Sequence, residues 1–153
     1  MVNIIRKDGS DNRIGSGSGF IFDANGTILT NAHVVGEYSD NMRPPPATRA
    51  LLVTLQDGRQ YDGTVVSVDR VTDLAVVRIT DEGPLPAVRL GCSAGLRAGE
   101  WVVAVGSPLS LQNTVTHGIV SCVDRKAVEL GLAGVGTDFI QTDAAINVVR
   151  ICL

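Results

Sequence analysis

The chain has 153 residues, which is enough for one ordinary domain or for two very small ones. Hydrophobic residues make up 44% and charged residues 19%, so the composition excludes a disordered chain and allows a buried core. The formal net charge is −3 and no basic run occurs, which argues against a nucleic-acid surface. Since no apolar stretch reaches the roughly 18 residues of a membrane helix, we expect no membrane span.

Neither a signal peptide nor a transit peptide can be identified at the start of the chain as written, so no targeting segment is expected in it. The cysteines Cys92, Cys122 and Cys152 are odd in number and widely spaced. This pattern argues against a disulfide framework and against a zinc site. We interpret the cysteines as small buried hydrophobic residues in a reducing compartment, and we expect neither a metal nor a cofactor.

Short runs rich in β-branched residues alternate with turn residues, and aromatic residues supply only 4% of the chain. Asn25-Gly26 and Asp57-Gly58 each separate two such runs, and these dipeptides tolerate the positive φ of a tight hairpin turn. The predicted strands are Ser18–Asp23, Thr27–Thr30, Ala50–Gln56, Arg59–Asp69, Asp73–Ile79, Leu85–Leu90, Glu100–Val105, Asn113–Val123 and Thr137–Thr142. Many short strands at close spacing predict an all-β sandwich or barrel. The best helical candidate is one or two turns around Ala32–Gly36, and the three prolines of Met42–Pro46 predict a stiff surface loop.

Only two histidines occur, His33 and His117. His33 follows a predicted strand directly, where packing on both sides can hold a general base in place. His117 lies inside a predicted strand, where it would face solvent or a neighbouring side chain. Asp73 opens a strongly apolar strand, which is a poor place for a carboxylate unless it is bound. It could orient the imidazole of His33, or it could only cap a turn at the entrance of the strand.

A second candidate for catalysis is Gly91–Gly95, whose sequence fits the G-x-S-x-G nucleophile elbow. That elbow requires a strand before the serine, a helix after it, and an acidic residue and a histidine later in the chain. Here Gly99 interrupts any helix, and Glu100 is the only acidic residue before His117. We therefore reject the hydrolase elbow.

Seven short segments of the chain form one combined pattern. They are Gly17–Ile21, Thr30–Val35, Thr72–Val76, Leu90–Ser93 with Gly99-Glu100, Val105–Pro108, Gly118–Ser121 and Gln141–Asn147. In order and spacing these segments resemble one known family, the HtrA/Deg (Do-like) serine proteases, over about residues 15–147.

This resemblance implies an all-β fold, a chymotrypsin-like double β-barrel with a His–Asp–Ser triad between the barrels. His33 matches the general base of the family, and Asp73 matches the orienting carboxylate. The reaction implied is the cleavage of peptide bonds in unfolded or peptide substrates by acyl transfer. In it a serine attacks the carbonyl, the histidine transfers the proton and backbone amides stabilise the oxyanion.

The resemblance stops after Asn147. In the family a G-N-S-G-G-P motif follows, and its serine would fall at Ile151, a residue with no lone pair and no proton to give. Cys152 lies one position later without flanking glycines and is a poor substitute. We therefore expect a truncated serine endopeptidase chain that is inactive alone. The alternative is a non-catalytic interaction subunit or regulator of full-length homologues, and a third possibility is residual proteolysis through Cys152.

The predicted organisation is an N-terminal extension at residues 1–14, a complete first barrel at 15–90, a linker at 91–99 and a truncated second barrel at 100–153. A barrel without its closing strands would have unpaired edges, and Val102, Val103 and Val105 would be only partly covered. The expected partners are further copies of this chain or full-length family members, with which it would form homo- or hetero-oligomers. The residues by themselves predict no cellular compartment, and the resemblance suggests a mitochondrion or a chloroplast.

Overall fold

The computed structural model describes residues 1–36, 51–106, 114–131 and 138–146. The loop at Met42–Pro46, Ile151 and Cys152 lie outside these residues. The described residues form nine strands, one short α-helix and two 3-10 turns at Ser93–Gly95 and Ala127–Leu130, which confirms the all-β prediction. In chain order the elements are β1 (Val2–Lys7), β2 (Arg13–Ile21), β3 (Thr27–Asn31), α1 (Ala32–Val35), β4 (Leu51–Leu55), β5 (Gln60–Asp69), β6 (Leu74–Arg78), β7 (Trp101–Gly106), β8 (Thr114–Lys126) and β9 (Asp138–Thr142).

The first six strands form a closed antiparallel barrel in the order β1-β2-β3-β6-β5-β4. Pairing between β1 and β4, with Ile4 opposite Val53, closes the ring. The two predicted turns lie where the sequence placed them, with φ of +88° at Gly26 and +90° at Gly58. Because an L side chain is strained at such a φ, glycine suits both positions.

Alternating apolar residues fill the barrel. Along β4 the residues Leu51, Val53 and Leu55 are buried while Leu52 and Thr54 are only partly so, which is the two-residue period of a strand with one buried face. Helix α1 closes one side of this core with Val34 and Val35, both buried. The helix that carries His33 is therefore fixed to the barrel by its own apolar residues.

The remaining strands form a smaller sheet in the order β7-β8-β9. Strand β7 pairs with the first half of β8, from Thr114 to Ile119, and β9 pairs with the second half, from Val120 onwards. Each half of β8 therefore has a paired neighbour on one side only within the part of the chain that the structure describes. Val103 is 55% exposed and Val102 and Val105 are partly buried, as predicted for an unclosed barrel.

Three expectations need correction. The barrel starts at β1, before the expected boundary at residue 15, because Val2–Lys7 pairs with both β2 and β4. Residues 85–90 form no strand, since Pro84 and Pro86 lack the amide donors that a ladder needs. Of the two cysteines that the structure describes, Cys92 is exposed instead of buried, and Cys122 is partly covered. The described residues include no helix with the length and apolarity to cross a membrane.

Candidate functional site

Asp73 has an unusual backbone conformation immediately before β6. Its φ is +56°, in the left-handed region that non-glycine residues rarely adopt, and within the described residues only Asp11 shares this feature among non-glycines. Such a conformation costs about 1–2 kcal/mol and persists where surrounding contacts hold it. The contacts that hold Asp73 in this conformation therefore indicate a functional role for this residue.

Three consecutive residues at the end of β3 and the start of α1 donate hydrogen bonds to Asp73. Its carbonyl oxygen accepts from the Ala32 amide at 3.0 Å and from Asn31 Nδ2 at 3.1 Å. Its carboxylate accepts from the backbone amide of His33 at 3.0 Å and from Asn31 Nδ2 at 3.2 Å. These bonds fix the carboxylate in position and orientation relative to α1.

The imidazole of His33 lies against the same carboxylate, with Nδ1 of His33 2.7 Å from Oδ2 of Asp73. A neutral imidazole that donates from Nδ1 to a carboxylate keeps its lone pair on Nε2. Both side chains are about half exposed, at 52% for His33 and 45% for Asp73. An oriented imidazole with a free, accessible Nε2 is the arrangement that a general base requires.

The pair borders a cavity of about 560 Å³. Besides His33 and Asp73, the cavity is lined by Arg6, Ile14, Ala32, Gly36 and Arg70. The sequence predicted no role for Arg6, Ile14, Gly36 or Arg70, whose local sequences indicate no site. It also predicted none for the hydrogen-bond donor Asn31, although this residue lies in the segment Thr30–Val35 that carries His33. They come to this place only because β1, β2, α1 and the turn before β6 meet there.

No serine, threonine or cysteine is among the described residues that line this cavity. The rejected elbow serine, Ser93, lies in an exposed 3-10 turn at Ser93–Gly95 with no strand directly before it, which agrees with that rejection. Ser121 is exposed in β8, and Cys122 is beside it. Across the described ranges, no three His, Cys, Asp or Glu side chains are grouped as a metal site would need.

The second histidine lies elsewhere. His117 is exposed in β8, opposite Val103, and its ring centroid is 5.7 Å from that of Trp101. It therefore faces solvent and one neighbouring side chain, as expected from the sequence, and it is not among the residues around the cavity.

The chain matches one known protein family and is similar to several known proteins. The trypsin-like peptidase domain matches residues 17–148. The chain is 56% identical over 131 residues to the "Putative protease Do-like 14" of Arabidopsis thaliana, and 49% identical over 134 residues to "Serine protease HTRA3" of Homo sapiens. These alignments cover 86% and 88% of this chain. The chain spans only 30% and 29% of the two relatives.

A solved structure agrees with the fold. The chain is similar to "HtrA-type protease AlgW with decapeptide", with a TM-score of 0.72 and 40% sequence identity over 90% of this chain and 38% of that one. This similarity confirms the predicted chymotrypsin-like architecture, with a closed first barrel and an incomplete second sheet.

Proposed function

Because this chain belongs to the trypsin-like peptidase domain family and its relatives are HtrA/Do-like serine proteases, we propose that it carries the general-base half of a serine endopeptidase site. In this proposal His33 is the general base and Asp73 orients it. The substrates are unfolded or flexible peptide segments, consistent with the decapeptide named for the similar structure.

The observation that carries the proposal is the double contact of Asp73 with His33. One carboxylate oxygen accepts from the backbone amide of His33 and the other contacts its ring Nδ1. A carboxylate that only capped a strand entrance would need no contact with the ring. The contact with Nδ1 selects the tautomer that leaves Nε2 ready to accept a proton from a nucleophile.

The 153-residue chain by itself is proposed to be inactive. Its described cavity lining holds no hydroxyl or thiol, and in this proposal Ile151 occupies the position of the nucleophilic serine. Without a nucleophile there is no acyl-enzyme, and an oriented imidazole has no proton to accept from one.

The roles of His33 and Asp73 can be tested in a chimera. Residues after Asn147 are replaced by the corresponding C-terminal part of the protease domain of the Arabidopsis relative, which restores a nucleophile. We expect this chimera to cleave casein and to react with a serine-directed phosphonate probe. Asp73→Asn should then lower kcat by about 10⁴-fold, and His33→Ala by at least as much. Replacement of the exposed His117 by Ala is the matched control and should leave kcat unchanged.

The inactivity of the chain is tested on the purified 153-residue protein. Casein incubated with the protein should be cleaved no more than casein incubated alone, with and without the phosphonate probe. Cleavage that is lost in His33→Ala and kept in His117→Ala would contradict the proposal. Loss of such cleavage in Cys152→Ser would indicate proteolysis through the thiol.

A second candidate function is that of a non-catalytic subunit that binds substrates or full-length homologues. The exposed apolar residues of the smaller sheet favour it, since Trp101 is 76% exposed, Val103 55% and Val115 59%. Co-purification of the tagged chain with a full-length relative, lost in Trp101→Ser, would support this function and a mixed oligomer. An organellar compartment also stays a prediction.

A further inference from the structure

Arg6 lies at the wall of the cavity beside His33. Its guanidinium lies against two glycines, so that a Cβ on Gly36 would overlap Nη1 and a Cβ on Gly15 would be 3.2 Å from Nη2. Gly36 directly follows α1, the helix that carries His33. The two glycines therefore leave the space in which the guanidinium packs between β2 and the end of this helix.

The guanidinium has no anionic partner within the described ranges. None of the carboxylates described there lies within 4.0 Å of it, and Arg6 Nε is buried without a hydrogen-bond partner. Leaving a buried donor unsatisfied is costly, so an arginine of this kind favours an added acceptor beside its guanidinium. Arginine presents its donors in a planar fork that matches the two oxygens of a carboxylate.

The charge of the cavity wall agrees with an anionic ligand. Arg6 and Arg70 both line it, and its only described carboxylate, Asp73, already accepts hydrogen bonds from His33 and Asn31. Two of the described lining residues therefore carry a positive charge and one a negative charge, although the chain as a whole carries a net charge of −3. Exposed Ile14 adds an apolar surface to the same wall.

From this arrangement we infer that the cavity is a subsite for a carboxylate of the bound peptide, recognised by Arg6 with Arg70 as a second charge. The inference rests on the proposed function, because the peptide must lie along the His33–Asp73 pair to reach it. The carboxylate can come from a Glu or Asp side chain next to the scissile position or from the C-terminus of the peptide.

The test uses the whole 153-residue chain and fluorescein-labelled decapeptides of alanine and valine with an amidated C-terminus. A single Glu is moved through positions three to eight, and each peptide is paired with one that has Gln instead. Fluorescence anisotropy gives Kd for each. At one or two adjacent positions we expect the Glu peptide to bind about five- to tenfold tighter than its Gln partner, and less so in 0.5 M NaCl. The Kd of a Gln peptide with a free C-terminus shows whether the terminal carboxylate of the peptide binds at the subsite.

Two variants locate the effect. Arg6→Gln should bring the ratio of the two Kd values to about one, while Arg6→Lys, which keeps the charge without the fork, should retain part of it. Arg89→Gln is the matched control: it removes the same charge from an exposed residue away from the cavity and should leave the ratio unchanged. Should circular dichroism show that Arg6→Gln has unfolded, the exposed Arg70→Gln replaces it and should lower the ratio about twofold.

The outcomes separate this inference from the proposed function. Equal binding of Glu and Gln peptides by the natural chain, with no gain from a free C-terminus, overturns the subsite and leaves peptide binding intact. The subsite is also overturned if the folded variants Arg6→Gln and Arg70→Gln keep the ratio of the two Kd values that the natural chain shows. Failure of every peptide to bind contradicts both the subsite and the proposed binding of peptide substrates.

Discussion

The barrel and the smaller sheet contain similar residues and bury them very differently. In the barrel every strand pairs on both sides, and residues such as Ile4, Ile28 and Val53 are completely buried. In the smaller sheet Trp101 and Val115 are largely exposed, and only Ala104 and Val120 of β7 and β8 are buried among the hydrophobic residues. Closure of the ring, and not the apolar content of a strand, therefore decides which part of this molecule has a core.

Hydrogen exchange provides the largest expected contrast between the two regions. Amides of β3, β4 and β6 should exchange at least about 100-fold more slowly than those of β7 and β9, since local opening requires little free energy where strands have one paired neighbour. Exchange resolved by NMR at pH 7 measures this difference. Equal protection in β4 and β7 would show that the smaller sheet is as stable as the barrel.

A matched pair of isoleucine substitutions compares the two regions in free energy. Ile4→Ala removes a fully buried side chain from the barrel and should lower the free energy of unfolding by about 2–5 kcal/mol. Ile140→Ala in β9 removes a side chain that is 46% exposed and should cost less than about 1 kcal/mol. Urea denaturation followed by circular dichroism measures both, and costs of similar size would contradict the contrast.

One position in the smaller sheet is packed as tightly as the barrel. A Cβ on Gly118 would overlap the Ala144 amide and Asp143 Oδ1, in the segment that binds β8 through the bond from the Ile119 amide to Asp143 Oδ1 at 2.7 Å. Gly118→Ala must displace this segment and should cost about 1–3 kcal/mol. Gly95 has no atom within 4 Å of an added Cβ, so Gly95→Ala should stay within about 0.5 kcal/mol of the natural chain. An unchanged amide shift of Ile119 in Gly118→Ala would oppose this account.

The smallest expected effects concern carboxylates at low pH. Hydrogen bonds from the Thr72 hydroxyl and then from the Val71 amide lower the pKa of Asp69, in the turn before Asp73. The hydrogen bond from Lys126, with its positive charge, lowers the pKa of Asp124 in β8. Since both values lie below those of the unfolded chain, both groups stabilise the fold above about pH 4, and this stabilisation is lost as pH falls through the lowered values.

Salt should separate these two carboxylates. In 0.5 M NaCl the pKa of Asp124 should rise toward its usual value, because salt screens ion pairs at the surface. The pKa of Asp69 should stay nearly unchanged. NMR titration at low and high salt measures both values. Thr72→Val should raise the pKa of Asp69 alone. A pKa of Asp69 that rises with salt as much as that of Asp124 would indicate an ionic cause in both.

Local patterns made the strands and turns predictable. Short runs rich in β-branched and apolar residues identified β4 and β6, and the dipeptides Asn25-Gly26 and Asp57-Gly58 identified the turns in which the glycines adopt a positive φ. The strand expected at residues 85–90 was wrong because Pro84 and Pro86 cannot donate hydrogen bonds to a ladder, although the neighbouring residues are apolar. Leu85 is nevertheless buried, and its amide donates to the carbonyl of Ala24, so an apolar run can pack on a sheet without joining it.

By itself the sequence determined the all-β class and the resemblance to the HtrA/Do-like serine proteases, and it identified His33 and Asp73 as candidates for one site. These are properties of periodicity and of motifs, which are local in the chain. Only the tertiary structure decided that β1 belongs to the barrel, that Asp73 adopts a positive φ under bonds from Asn31 and α1, and that Arg6 lies beside His33. These facts depend on which strands pair across the ring, and such pairing brings together residues whose local sequences carry no sign of it.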